Sequence, residues 1–136
     1  MATIRSIDVT IHTGDVDNAG TDGDVYLGIC GREFFLDSGA NDFERGSRRL
    51  YRFGEGANIQ NSGVNDPRNP PLDSDDLRMF PVYIRFEPQG SSPDWNLTFV
   101  NVEVAGTGFG IILRPGLWLG RTSGKICHLR EGRFGE

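Results

Sequence analysis

Apolar residues in this chain recur at every second position, and no stretch shows the three-to-four-residue spacing of a helix. Ile7, Val9 and Ile11 alternate with Asp8, Thr10 and His12, as a strand with one buried face requires. Val25, Leu27 and Ile29 repeat the pattern, and "EFFLD", after a turn at Gly31 and Arg32, reads as the second arm of a hairpin. From Arg49 the chain is extended through Tyr51 and Phe53, and alternation returns at Phe80, Val82, Ile84 and Phe86. After Trp95, Leu97 and Phe99 share one side before Val100, Val102 and Val104 take over, a change of phase that predicts a β-bulge. "FGIILR", "GLWLG" and "KICHLR" supply the last extended pieces. About eight short strands of this kind predict an all-β fold, an antiparallel β-sandwich of two sheets.

With 136 residues, the chain suits one domain over 1–136 built on one core. The stretch 54–76, "GEGANIQNSGVNDPRNPPLDSDD", has no apolar period and is expected to be a long loop insertion without regular structure. The formal net charge of -5 supplies no positive field for a phosphodiester backbone, so nucleic acid is not an expected partner. Eighteen consecutive apolar residues occur nowhere, so no transmembrane segment is expected. Cys30 and Cys127 are expected to be reduced core thiols, and the start "MATIRSIDVTI" lacks an export signal. A cytoplasmic location is the expectation for the chain as it begins, and an extracellular one if it has been trimmed.

The stretch "GDVDNAGTDGD" concentrates four aspartates and three glycines between Gly14 and Asp24, and a second polar loop, "DSGANDFERGS", begins at Asp37. An EF-hand needs oxygen ligands at its fifth and twelfth positions, where a loop begun at Asp15 has Ala19 and Tyr26. "GRTSGK" is one residue short of a phosphate-binding loop, and "GTGFG" lacks the dinucleotide-binding spacing. No Gly-x-Ser-x-Gly elbow is present, and His12 and His128, the only imidazoles, sit in alternating strands where a structural role is expected. The chain is read as not an enzyme. Turn chemistry alone accounts for such Asp- and Asn-rich loops, so an ordinary loop that binds nothing stays open at this point.

Taken together, "TGDVDNAGTDGDVYLGICG", "LDSGANDFERGS", "PDWNLTFVNVEV" and "LWLG" resemble the PLAT, or lipoxygenase homology, domain over about Ile4 to Leu129. Within that family the carboxy-terminal domain of clostridial alpha-toxin is similar, with 54–76 as the clearest departure. The resemblance implies an eight-stranded sandwich whose loops at one end bind Ca2+ and face a membrane or a partner protein. It also implies two ligand sets. One is the Asn18 side chain, the Gly20 carbonyl, Asp94 and the Trp95 carbonyl. The other is Asp37, the carbonyls of Ser38 and Ala40, and Asp42. Neutral Asn18 stands where alpha-toxin-like domains carry an aspartate, and Ser38 and Ala40 replace an asparagine and a glycine. Fewer formal charges weaken calcium sites.

Asp22, at the start of a strand, is expected to brace its loop by accepting backbone N–H bonds, with Asp15, Asp17 and Asp24 solvated. Trp95 is either a headgroup-level contact or the first core residue of its strand, and Trp118 is expected in the core. Arg45, Arg48, Arg49 and Arg52 form the dense basic cluster; contact of Arg45, Arg48 and Arg49 with lipid phosphate stands against a solvated strand face paired with aspartates. The functional expectation is a non-enzymatic module for calcium-dependent binding to a membrane surface or lipid headgroups. The alternative is a protein-protein interaction or targeting module in which calcium only stiffens the loops.

Overall fold

Alternating apolar residues become two stacked sheets in the computed structural model, which describes residues 2–90 and 94–134, the last three as backbone only. Ten strands lie among the described residues: β1 (Ser6–Thr13), β2 (Asp24–Ile29), β3 (Arg32–Phe35), β4 (Arg48–Gly54), β5 (Val82–Glu87), β6 (Trp95–Val104), β7 (Gly110–Leu113), β8 (Leu117–Leu119), β9 (Ile126–Leu129) and β10 (Gly132–Phe134). One sheet runs β10-β7-β6-β1-β4 with short β8 also on β6, and the other runs β3-β2-β5-β9. Every pairing between these strands is antiparallel except β10 on β7. The expected all-β sandwich is therefore present, and the two strands beyond eight are three-residue pieces at its margins.

The inward residues of β1, β2, β5 and β6 are the ones that the alternation marks. Trp95, Tyr51, Phe34, Phe53 and Phe86 are the largest fully buried side chains, and the rings of Phe34 and Phe53 meet across the two sheets at 5.3 Å. Register slips between His12, opposite Phe99, and Thr13, opposite Leu97. Thr98 is the extra residue, so Leu97 and Val100 both point inward while Phe99 is turned to the outer face. There Phe99 stacks on His12 with ring centroids 4.4 Å apart.

The first hairpin turns one residue earlier than expected. Ile29 pairs with Arg32, leaving Cys30 (φ 54°) and Gly31 (φ 76°) as a two-residue turn with both residues left-handed. That conformation twists with its strands, and Arg32 belongs to β3. Cys30 and Cys127 are free and buried, as expected. Burial pushes the Cys30 thiol up to about 11.

The stretch 54–76 contains turns and bridges, and it runs along the open side of the sandwich. Asn58 accepts from the Arg52 N–H and donates to the Leu50 carbonyl, along the free edge of β4. Asn65 accepts from the Phe35 N–H on β3, the edge strand of the opposite sheet. Arg32 holds the far side of the loop through the carbonyl of Pro70. Leu72 and Ser74 bond the first residues of the chain, and a single 3-10 turn, Ser74–Arg78, follows.

Candidate functional site

The connections 14–23 and 36–47 lie at one end of the sandwich, together with the start of β6. Gly14 N–H donates to the Asn96 carbonyl and Asn96 N–H to the Ala19 carbonyl, both at 3.0 Å, which lays residues 18–20 beside 94–96. Asn18 sits at φ 63°, in a turn closed by Ala19 N–H on the Val16 carbonyl. The first predicted set is thereby brought to one place. The Asp94 carboxylate lies over Gly120, where a Cβ would collide with it, and it forms no ion pair or hydrogen bond among the described residues. The Gly20 carbonyl is likewise unbonded among the described residues, and oxygens of both kinds suit a hard cation.

The second set is partly occupied by the loop itself. Asp42, whose side chain is only 9% exposed, accepts from the Ser38 N–H at 3.0 Å, the Ser38 hydroxyl at 2.7 Å and the Tyr51 hydroxyl at 2.9 Å. Arg49 brings its Nε within 3.3 Å of the same carboxylate, off the line of a hydrogen bond, and another guanidinium nitrogen to the Ser38 hydroxyl. In this conformation Asp42 does not fit a metal ligand, because its lone pairs are spent on the loop and an arginine supplies its counter-charge. Asp37 accepts one bond, from the Gly39 N–H, while the Ser38 and Ala40 carbonyls accept none among the described residues. Arg49 is thus a buttress and not a contact residue, since its reach is inward to Asp42.

Other aspartates redistribute. Among the described residues Asp22 accepts no backbone bond; Thr21 braces the loop, its hydroxyl accepting from the Gly23 N–H at 3.0 Å. Asp15 and Asp17 are solvated as expected, at 82% and 93% exposure, and in addition both pair with Arg45, at 3.0 and 2.9 Å, which leaves that arginine less charge to offer a lipid phosphate. Asp22, Asp24 and Asp37 line one cleft of about 190 Å³ between the two loops, with Asp42 at its wall. Partial burial, then the neighbouring Glu87, pushes the Asp24 carboxyl above its ordinary range, with Asp37 adding to the rise and the Gln89 amide opposing it. The cleft therefore holds a negative potential that a cation would relieve. No three His, Cys, Asp or Glu side chains among the described residues converge closely enough to hold a metal by themselves, so backbone carbonyls must complete any calcium shell here.

The two tryptophans divide the roles differently from expectation. Trp95 is 0% exposed, donates its indole N–H to the Thr13 hydroxyl at 2.8 Å and meets the rings of Phe43 and Phe86. It cannot touch a bilayer, and of the two readings the core one holds. Trp118, expected inside, is 40% exposed, because β8 pairs it with Asn96 on the outer side while Leu119 turns in. Alternation in "LWL" carried that parity, with Leu117 and Leu119 on one side and Trp118 on the other. Pro93 of the "PDW" motif lies outside the described residues.

The fold is that of a PLAT, or lipoxygenase homology, domain. By sequence the chain matches no family model and none of the curated proteins. By structure it is similar to the alpha toxin of Clostridium absonum, with a TM-score of 0.65 and 25% identity over 94% of this chain and 32% of the toxin. An alpha-toxin from an avian strain of Clostridium perfringens aligns at 23% identity and TM-score 0.65, covering 95% of this chain and 32% of that one. Coral 8R-lipoxygenase, described as activated by calcium via a C2-like domain, aligns at 22% identity and TM-score 0.63, covering 93% and 17%. This chain spans about a third of the toxins and about a sixth of the lipoxygenase.

Proposed function

We propose that this domain is a non-enzymatic module that attaches to a membrane surface when calcium binds its loop end. The observation that carries the reading is the company of Asp22 and Asp94, carboxylates unengaged among the described residues, with exposed apolar residues at the same end, Val16 (49% exposed) and Trp118. Asn18, the Gly20 carbonyl, Asp94 and the Trp95 carbonyl would hold one ion. Asp37, with the carbonyls of Ser38 and Ala40, would hold another, completed by Asp22 and Asp24 across the cleft while Asp42 braces the loop. Two ions add four positive charges to a chain of formal charge -5, which removes most of its repulsion from anionic lipid. Calcium activation via a C2-like domain in coral 8R-lipoxygenase supports the same reading. Chelator-stripped protein titrated with calcium by calorimetry, beside an Asp94→Asn and Asp22→Asn double variant, tests the site. Co-sedimentation with anionic vesicles, with and without chelator, tests the consequence. Equal and negligible sedimentation in both conditions would overturn it.

A protein-interaction reading has its own observation. Val64 (76% exposed), Met79 (74%) and Phe80 sit at the opposite end, where Phe80 covers Gly31 and the Val64 carbonyl accepts from Arg32. Met79→Asp should abolish partner capture and leave calcium-dependent sedimentation intact if that end docks a protein.

A further inference from the structure

On the outer face of the larger sheet, antiparallel register sorts side chains into rows. At the end away from the acidic loops stand Arg52, Asp8, Glu103 and Gly110, then Leu50, Thr10, Asn101 and Ile112. The row nearest the calcium loops is Arg48, His12 and Phe99, continued by Arg114 just past β7. Acid is confined to the first row, where Asp8 is held by both guanidinium nitrogens of Arg52 at 2.7 and 2.9 Å. The last row carries only positive and aromatic groups.

Phe99 is the platform of this row. The bulge at Thr98 turns its ring outward, His12 stacks on it at 4.4 Å, and the Arg114 guanidinium lies over it with 5.4 Å to the centroid. Arg48 pairs in register with His12 from the other side. Arg48 and Arg114 are both exposed, and neither is engaged by a carboxylate among the described residues, whereas Arg5, Arg45, Arg49, Arg52, Arg68, Arg78 and Arg85 all are. The two arginines stand three strand spacings apart, about 14 Å at the backbone, so their long side chains flank the His12–Phe99 pair. Partial burial, then the charges of Arg48 and Arg114, holds the His12 imidazole below its ordinary range, and these are the charges that act on it. An anion seated between the guanidiniums would reverse that field.

We infer that Arg48, His12 and Arg114, arranged around Phe99, form a binding site for a phosphate monoester group. Two arginines offer forked donors to phosphate oxygens, and a histidine that gains a proton on binding matches the second negative charge. The site is separate from the calcium loops and independent of the reading proposed for them. It faces out beside them, so a lipid phosphate and a soluble phosphate are both chemically suitable sources.

The test follows the His12 ring by NMR in chelator, with His128 on β9 as the internal reference, while inorganic phosphate is added. His12 should titrate at a midpoint higher by roughly half a pH unit or more at saturation, with His128 unmoved. Sulfate, whose charge is constant over this range, should also raise it, which separates protonation of His12 from titration of the ligand. An Arg48→Gln and Arg114→Gln double variant should lose the response and keep the far-ultraviolet circular dichroism of the wild type. A His12 midpoint unmoved up to tens of millimolar phosphate, or His128 moving in parallel, overturns the site. Vesicles of phosphatidylcholine with and without phosphatidic acid, sedimented in chelator, then assign the source. Sedimentation that needs phosphatidic acid and both arginines makes the ligand a headgroup, and phosphate binding without sedimentation makes it a soluble phosphate. Failure of the calcium titration leaves all these outcomes unchanged.

Discussion

At the scale of the residue, Asp42 and His12 make opposite demands on charge. Asp42 serves three donors and faces Arg49, so Asp42→Ala would strand the Ser38 N–H, the Tyr51 hydroxyl and a half-buried guanidinium. Breaking such a set by removing its acceptor should cost about 2–4 kcal/mol in urea unfolding, whereas Asp37→Ala, which loses one exposed Asx bond, should cost under about 1 kcal/mol. Near-equal losses would mean that Asp42 is not the brace. His12 is the reverse case, a group whose protonated form is disfavoured in the fold. Between its lowered folded value and the ordinary 6.5, the unfolded chain binds more protons, so stability should fall as pH drops through 6.5 and the slope should end below the folded value. Unfolding followed from pH 7 to 5 should show this slope in the wild type and a flatter one in His12→Gln.

At the scale of the element, the stretch 54–76 solves an edge problem. A sandwich of this kind leaves β3 and β4 with unpaired backbone groups on the same open side, and exposed edges invite pairing with other chains. Asn58 and Asn65 take up those groups by side chain, and Gln60 N–H donates to the Asp37 carbonyl at 2.8 Å, tying this stretch to the second acidic loop. Asn65→Ala should cost about 1–3 kcal/mol, since Asn65 is only 8% exposed and the Phe35 N–H loses its acceptor. Deleting 57–65 should lower solubility and weaken calcium binding together, read by light scattering and calorimetry. Intact calcium affinity in a soluble deletion variant would show that the tie to Asp37 carries nothing. Polar composition and missing periodicity made this stretch legible as a loop, but not as a cover. Side-chain amides acting as strand partners leave no apolar period for a sequence pattern to detect.

At the scale of the whole molecule, one end gathers carboxylates, carbonyls and exposed apolar residues while the strands behind it stay a closed core. Calcium that binds only the folded state should raise the melting temperature in proportion to the logarithm of its concentration. Trp118→Ser should leave that rise unchanged while reducing vesicle binding about tenfold, as loss of an interfacial indole would. A Trp118→Ser variant that binds vesicles like the wild type would move the membrane contact elsewhere. The sequence alone determined the all-β class, the inward faces of β1, β2, β5 and β6, the bulge before Val100 and the two acidic loops, because period-two burial and turn chemistry are local properties. Tertiary structure decided which aspartates stay unengaged, which tryptophan is exposed and which arginines lack a carboxylate. Those outcomes depend on partners far away in sequence, Asp8 on Arg52, Trp95 on Thr13, and His12 and Arg114 on Phe99, and only the register between strands brings such groups within reach.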